Sequence, residues 1–466
     1  MIKTIIDISM WASTDSYKEG YILVKYQAII NYIKSSILDG SIKSGQKLPS
    51  IRNICDQFQC SKVTAVKVYD LLEKQHIVYS IPKSGHYLIE NNSNLNNNIL
   101  SSNIDFSTSV PDSCTVPYEE FQHCLNQSIN LHKKHLFSPS QTEGLESLVY
   151  VISKQLQNYQ VFTDKQDLFI TTGSQQAINI LTMMQFPNNK RNVLIEQPTY
   201  QGIIKSLELN NVNAIGIQRT YNGIDFDKLE KIFKYDNIKF FYTIPRFHNP
   251  TGFSYSNMEK KQIFKLAQKY DVYIVEDDYL GDLEVNTKSD PIYALDSSSR
   301  VIYLKTYSKI LFPELRISAV VLPRVLVNAF QKYKKWNDLN TSILSQGALE
   351  IYIKSGMIND HVKKLRKIYS EKMNYLNQVT KKLDNSNIKW YIPNSGFFAS
   401  FEITNDVRVK DIIKRLQIKN VLLSDTNIFY LENDINSRLI RLSLSKTNNN
   451  EIKKGVSIIL NEIDKG

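Results

Sequence analysis

Over the first ninety positions, apolar residues recur at helical spacing. Tyr21 to Leu38 carries that spacing and stops before Gly40, which predicts a first helix. Pro49 interrupts the path and Ser50 can cap, so a short helix is expected through Phe58. Ser61 can cap a third helix, Lys62 to Lys74. Residues 77–80 and 86–89 then flank Pro82-Lys83-Ser84-Gly85, the pattern of a two-stranded wing with a glycine-containing turn.

A polar, nearly uncharged stretch, Asn91-Asn92-Ser93-Asn94-Leu95-Asn96-Asn97-Asn98, breaks the composition and reads as a linker. Beyond it the pattern changes. Short apolar runs recur at 168–171, 193–196, 214–217, 240–244, 272–276, 301–304 and 319–322, with helical stretches such as 174–185, 256–269 and 324–333 between them. This alternation predicts an α/β fold with a largely parallel sheet, and ligand groups at the carboxyl ends of its strands. From about Lys354 a long helix is followed by mixed structure around 390–403 and 439–443, which predicts a smaller second lobe.

Composition narrows the picture. A chain of 466 residues exceeds one typical domain of ~100–150 residues. Hydrophobic content of 42% and charged content of 22% are ordinary for globular proteins, so a large core can form. The net charge of +11 suits a polyanionic partner, but a lysine-rich genome produces the same excess, so charge alone decides little. The four cysteines form no C-x-x-C pair, so neither a metal site nor a disulfide framework is expected. Reduced thiols point to a cytoplasmic location. Asp7 stands where a signal peptide needs an apolar core, and no apolar run reaches the ~20 residues of a membrane span.

Candidate chemistry centres on Lys309. Thr306, Ser308 and Arg316 surround it in sequence, and hydroxyls with a guanidinium suit a dianionic phosphate. Gly173-Ser174-Gln175, between a strand and a helix, can add backbone N–H donors. Asp277 ends an apolar strand, where a carboxylate can hold a pyridine nitrogen protonated; Asp278 competes for that role. Asn249 and Tyr279 can bond a ring oxygen, although Asn249-Pro250-Thr251-Gly252 is also a good turn. Tyr200 can stack on a ring. Arg441 can clamp a carboxylate, whereas nearby Arg438 reads as a surface charge.

In this order, from about Asp105 to the C-terminus, these segments resemble the fold-type I, class I aminotransferases. The resemblance implies that Lys309 forms a Schiff base with pyridoxal 5'-phosphate (PLP). Asp277 becomes the pyridine partner and Asn249 and Tyr279 the phenolate partners. Ser174, Ser308 and Arg316 form the phosphate site, Tyr200 stacks, and Arg441 takes the substrate carboxylate. Ser318 replaces a glycine usual in that family.

The N-terminal run Leu48-Pro49-Ser50-Ile51-Arg52 through Tyr69 resembles the winged helix–turn–helix of the GntR superfamily. By that resemblance Ser50, Arg52, Lys62, Thr64 and Lys67 face DNA, and Lys83, Gly85 and His86 lie on the wing. Lys62 stands where arginine is usual, which replaces a planar fork by a point charge.

The two together resemble the MocR/GabR family of regulators. Boundaries follow at 17–90 for the head, 91–104 for the linker and 105–466 for the PLP-binding body. The resemblance implies a domain-swapped, head-to-tail homodimer that binds a double-stranded DNA operator. A small amine, an amino acid or PLP itself is then sensed through Lys309. A working transaminase with an accessory head is the rival, and a body used only for dimerisation is a third reading.

Overall fold

The computed structural model describes residues 26, 28–37, 39–42, 45–74, 77–81, 84–88, 103–133, 141–286, 289–383, 385–431 and 437–465. The chain divides into two units, Met1–Ser101 and Ser102–Gly466. Lys83 and residues 91–102 of the expected linker lie outside the described residues.

In the first unit, helical residues 28–37 bury Ile29, Ile30 and Ile33. Helix α1 (Ile51–Phe58) starts where the Ser50 side chain accepts the Asn53 N–H, as its cap position requires. It ends at Gln59, which turns left-handed at φ 48°. Helix α2 (Lys62–Lys74) buries Ala65, Val68, Tyr69 and Leu72 at helical spacing. Strands β1 (Val78–Ile81) and β2 (Gly85–Leu88) pair antiparallel, with Val78 opposite Leu88 and Ile81 opposite Gly85. All these elements share one core, to which Ile29, Ile54, Val68, Leu72, Val78 and Leu88 contribute.

The second unit opens with β3 (Ile104–Asp105). Its large sheet contains β4 (Leu168–Thr171), β5 (Asn192–Gln197), β6 (Ala214–Thr220), β7 (Gly223–Ile224), β8 (Ile238–Thr243), β9 (Tyr273–Asp277), β10 (Val301–Thr306) and β11 (Ser318–Val321). The spatial order is β4-β11-β10-β9-β8-β5-β6-β7. Strands β6, β5, β8, β9 and β10 are parallel, and β11 runs against both β10 and β4. Every residue of β8, β9 and β10 is buried, as expected where helices cover both faces of a parallel sheet. That is why these strands read as unbroken apolar runs rather than alternating ones.

A helix of 26 residues, Met357–Lys382, leads to the small lobe. There β12 (Ile388–Tyr391), β13 (Phe398–Ile403) and β15 (Leu439–Ser443) form an antiparallel sheet. Strand β14 (Val421–Leu422) pairs with β3 in parallel, so the start of the unit returns to its end. The small lobe has its own core, built from residues such as Phe106, Leu376, Phe401, Ile412, Leu442 and Ile459.

Candidate functional site

The parallel strands end on one edge of the sheet, where the last residues of β9 and β10, Asp277 and Thr306, help to line a cavity of about 130 Å³. All eleven residues expected to hold a cofactor line it: Gly173, Ser174, Gln175, Tyr200, Asn249, Asp277, Tyr279, Thr306, Ser308, Lys309 and Arg316. Ser109, from the segment after β3, also lines it. A larger cleft of about 750 Å³ lies between β6 and the small-lobe sheet and contains none of these residues. Volume alone therefore does not mark the chemistry.

Lys309 follows β10. Its Nζ donates to the Ser109 carbonyl at 2.9 Å and approaches Ser109 Oγ at 3.2 Å. Burial, reinforced by the charge of Arg441, pushes the amine down to about 8; Asp277 opposes the shift. A lysine so placed is still mostly protonated at neutral pH, but its neutral, nucleophilic fraction is far larger than that of an ordinary lysine.

Asp277 is the last residue of β9. Its Oδ2 accepts the Tyr242 hydroxyl at 2.6 Å, while its Oδ1 has no partner among the described residues. Burial pushes this carboxyl up to about 6 against the Tyr242 hydrogen bond. Asp278 faces elsewhere. Arg246 grips both its oxygens, with Nε to Oδ1 at 2.9 Å, and Tyr303 also donates to it. Of the two neighbouring acids, only Asp277 lines the cavity and has an oxygen without a partner among the described residues.

A candidate anion cradle gathers Gly173, Ser174, Ser308 and Arg316 along the same cavity. Gly173 at φ 75° precedes the helix Ser174–Met183, whose first N–H groups lack helical partners. A Cβ on Gly173 would fall 2.6 Å from Arg316 Nη2, so this approach needs glycine. Arg316 is exposed, and its Nη2 lies 3.3 Å from the Thr172 carbonyl. Ser308 Oγ is buried without a partner among the described residues, as is Ser318 Oγ. Ser318 sits opposite Thr306 across the β10–β11 pair, beside the cradle.

The remaining cavity residues are held by the chain itself. Tyr279 donates to the Phe247 carbonyl at 2.6 Å, and Tyr200 reaches Gln175 Oε1 at 3.3 Å. Arg441 does not line the cavity. It donates to Asn249 Oδ1 at 2.9 Å, to Ser424 Oγ at 2.7 Å and to the Ser107 carbonyl. Its guanidinium lies over Phe398 and Phe429, and burial pulls it down to about 10. An incoming carboxylate would have to displace these internal acceptors.

Sequence reasoning missed a buried network behind the Asn249 loop. Glu196 accepts from Arg219 Nη1, the Thr243 and Tyr255 hydroxyls and the Ile244 N–H at 2.6–3.1 Å. Burial works against its charge, but Arg219 and His248 win and hold the carboxyl well below the usual range. Burial and Arg219 push His248 down to about 4, and its Nδ1 meets Thr251 Oγ1 at 2.8 Å. Ser109 and Tyr242 were also missed. No local motif announces any of them, because their partners lie far away in sequence.

In the head, Ser50, Arg52, Lys62 and Lys67 are exposed on the two-helix unit. Thr64, expected to face DNA, is turned inward at 8% exposure, with its hydroxyl 2.9 Å from Ser61 Oγ. Helix geometry explains this: Thr64 lies in the first turn, where its N–H is also bonded by Ser61 Oγ. His86 is half-buried and stacks on Tyr69, with ring centroids 4.2 Å apart. Gly85 takes φ 130°, and a Cβ there would meet Lys47 at 2.9 Å. Among the described residues no group of three potential metal ligands occurs, and no helix is long and apolar enough to cross a membrane.

Fold and site define an aminotransferase-type body on the same chain as a small unit with a winged helix–turn–helix arrangement. Comparison with known proteins agrees. Residues 108–459 match the family Aminotransferase class I and II, and residues 25–88 match the bacterial regulatory proteins of the gntR family. The chain is 41% identical over 443 residues to YcxD of Bacillus subtilis (strain 168), described as an uncharacterized HTH-type transcriptional regulator; 94% of this chain and all of that protein are covered. It is 23% identical over 447 residues to the HTH-type transcriptional regulator NorG of Staphylococcus aureus (strain USA300), covering 90% of this chain and all of NorG. Among solved structures, Pyrococcus horikoshii kynurenine aminotransferase, in complex with PMP, superposes with a TM-score of 0.73 at 27% identity, over 78% of this chain and 92% of that one. The chain belongs to the aminotransferase class I and II family, in the MocR/GabR arrangement that joins a GntR head to such a body.

Proposed function

We propose that this protein is a DNA-binding transcriptional regulator whose body holds PLP at Lys309 and senses a small amine or amino acid there. The head then corresponds to residues 17–90 and the body to 105–466, joined by the linker 91–104. The single observation that carries the reading is the set of open polar atoms around Lys309. Asp277 Oδ1 and Ser308 Oγ are buried without partners among the described residues, and both residues line one cavity. Leaving such atoms unpaired costs ~1–3 kcal/mol each, a cost a bound ligand removes.

The residues fit the group. The Gly173-Ser174 N–H groups, Ser308 Oγ and Arg316 match a phosphate. Asp277 Oδ1 matches a protonated ring nitrogen, and the side chain of Tyr200 lines the space between. When bound, PLP supplies a carbonyl that a primary amine can capture. The chain's own part is to lower the Lys309 amine so that more of it is neutral, to orient it through Ser109, and to hold Asp277 in place through Tyr242. Arg441, tied to Asn249, can exchange that bond for an effector carboxylate and so report occupancy to the Asn249 loop. An effector shifts DNA binding only as far as it favours one state of the protein over the other.

The head supports DNA as the partner, through Arg52, Lys62 and Lys67 on one two-helix unit. A homodimer placing two heads on two half-sites is part of the same proposal. Because the Lys309 site has its full set of partners, transaminase turnover is the second reading. One experiment separates them. Candidate amines are titrated into the PLP-loaded protein while its visible spectrum, its binding to its own upstream DNA and keto-acid release are followed. Spectral change coupled to altered DNA affinity without sustained keto-acid release supports the regulator. Turnover at ordinary enzyme rates of ~1–10³ per second, with no change in DNA binding, supports the transaminase.

A further inference from the structure

Two of the four cysteines sit where the head turns from α1 to α2. Helix α1 ends at Phe58, Gln59 turns left-handed, and the Cys60 N–H donates to the Cys55 carbonyl at 3.2 Å. A bond of this span across a left-handed residue is the Schellman helix ending, which brings the side chains of its first and last residues together. Here both of those residues are cysteines. Cys60 Sγ lies 3.9 Å from the carbonyl oxygen of Ile54, the neighbour of Cys55. Both side chains pack on the head core, both remain partly exposed, and neither is in a disulfide. One N–H···O bond between two residues holds their Cα atoms near the ~4.4–6.8 Å separation that a disulfide spans.

We infer that Cys55 and Cys60 form a reversible dithiol–disulfide pair at the turn between the two helices of the head. In the step two S–H bonds break and one S–S bond forms. Two protons and two electrons pass to the oxidant: a disulfide, which leaves as two thiols, or hydrogen peroxide, which leaves as two waters. Reversible oxidation of this kind is a recurrent use of cysteine in reducing compartments. The other two cysteines lack the arrangement, since Cys114 is exposed and Cys124 is buried in the body.

A consequence follows that rests on the DNA-binding reading. Ser61 comes next in the chain, and its Oγ accepts the Thr64 N–H at 3.2 Å at the start of α2. Drawing Cys60 Sγ from the Ile54 carbonyl toward Cys55 pulls on that cap and on the orientation of α2. The oxidised protein therefore binds its upstream DNA several-fold more weakly than the reduced protein.

The test uses the full chain, incubated with glutathione disulfide or with dithiothreitol, alkylated and digested with trypsin. No lysine or arginine lies between the two cysteines, so peptide 53–62 carries both. The expected result is that this peptide, after oxidation, is lighter by two hydrogens and resists alkylation, and that dithiothreitol reverses both changes. Full alkylation of peptide 53–62, separate glutathione adducts on it, or a bond to Cys114 or Cys124 would overturn the pairing. The mapping needs no variant, so it stands even if Cys60→Ser fails to fold. DNA binding is then measured on both forms. Equal affinities would overturn the consequence and leave the pairing. A reduced protein with no affinity for its upstream DNA at low salt would count against the DNA reading instead.

Discussion

Tyr242 donates its hydroxyl to one oxygen of Asp277 at 2.6 Å and leaves the other oxygen of this cavity-lining residue without a partner among the described residues. Burial raises this carboxyl to about 6, so it is mostly ionised at neutral pH and becomes protonated below that value. The charged form is the one that accepts a ring N–H. PLP affinity is therefore expected to fall as pH drops through about 6. Asp277→Asn should weaken binding roughly ten- to hundredfold at pH 7.5, the value of one charge-assisted hydrogen bond. Equilibrium titration followed by visible absorbance checks both. Unchanged affinity in Asp277→Asn would remove Asp277 from the site.

Desolvation of the half-buried Lys309 amine, with the charge of Arg441 near it, pushes it down to about 8. The rate at which PLP is captured should rise with pH and level off above about 8, rather than near the ~10.4 of an ordinary lysine. Removing the Arg441 charge takes away a repulsion, so Arg441→Gln should move this midpoint upward. Stopped-flow absorbance across pH 6.5–10 gives the midpoint for each protein. A midpoint that stays in place or falls in Arg441→Gln contradicts the assigned cause.

Gly173 combines a positive φ with a guanidinium where a Cβ would be. Gly173→Ala should therefore displace Arg316 and strain the helix start by ~1–2 kcal/mol. The expected outcome is a loss of phosphate affinity, seen as at least tenfold weaker PLP binding with a modest drop in melting temperature. Normal affinity in this variant would show that the cradle lies elsewhere.

Arg52 and Lys67 are exposed on the head, whereas Thr64 points into it. Arg52→Ala and Lys67→Ala should each weaken DNA binding and reduce the slope of log affinity against log salt by about one. Thr64→Ala should leave the slope unchanged. Fluorescence anisotropy at several salt concentrations distinguishes the cases, and weaker DNA binding by a folded Thr64→Ala protein at constant salt would return that residue to the interface.

The sequence made the strands legible because those of a parallel sheet are apolar on both faces, and β8, β9 and β10 are buried throughout. The cavity residues were legible because their motifs sit at strand ends and helix starts, as with Thr306–Lys309 after β10 and Gly173-Ser174 after β4. Other features are set by tertiary contacts. Lys309 meets Ser109 across 200 positions of sequence, and Arg441 meets Asn249 across 192, so no local pattern records either pairing. Glu196 and Arg219 belong to strands that read only as apolar runs with a stray charge. Thr64 turns toward Ser61 rather than outward, because a helix–turn–helix pattern fixes which helix reads DNA, but not which face a first-turn threonine takes.

The central claim is that one lysine of this chain captures PLP. The most direct measurement is to incubate the protein with PLP, reduce it with borohydride and locate the pyridoxyl group by peptide mass mapping. The expected result is a stoichiometric label on Lys309, absent from Lys309→Ala. A label on any other lysine, or none, would contradict the claim.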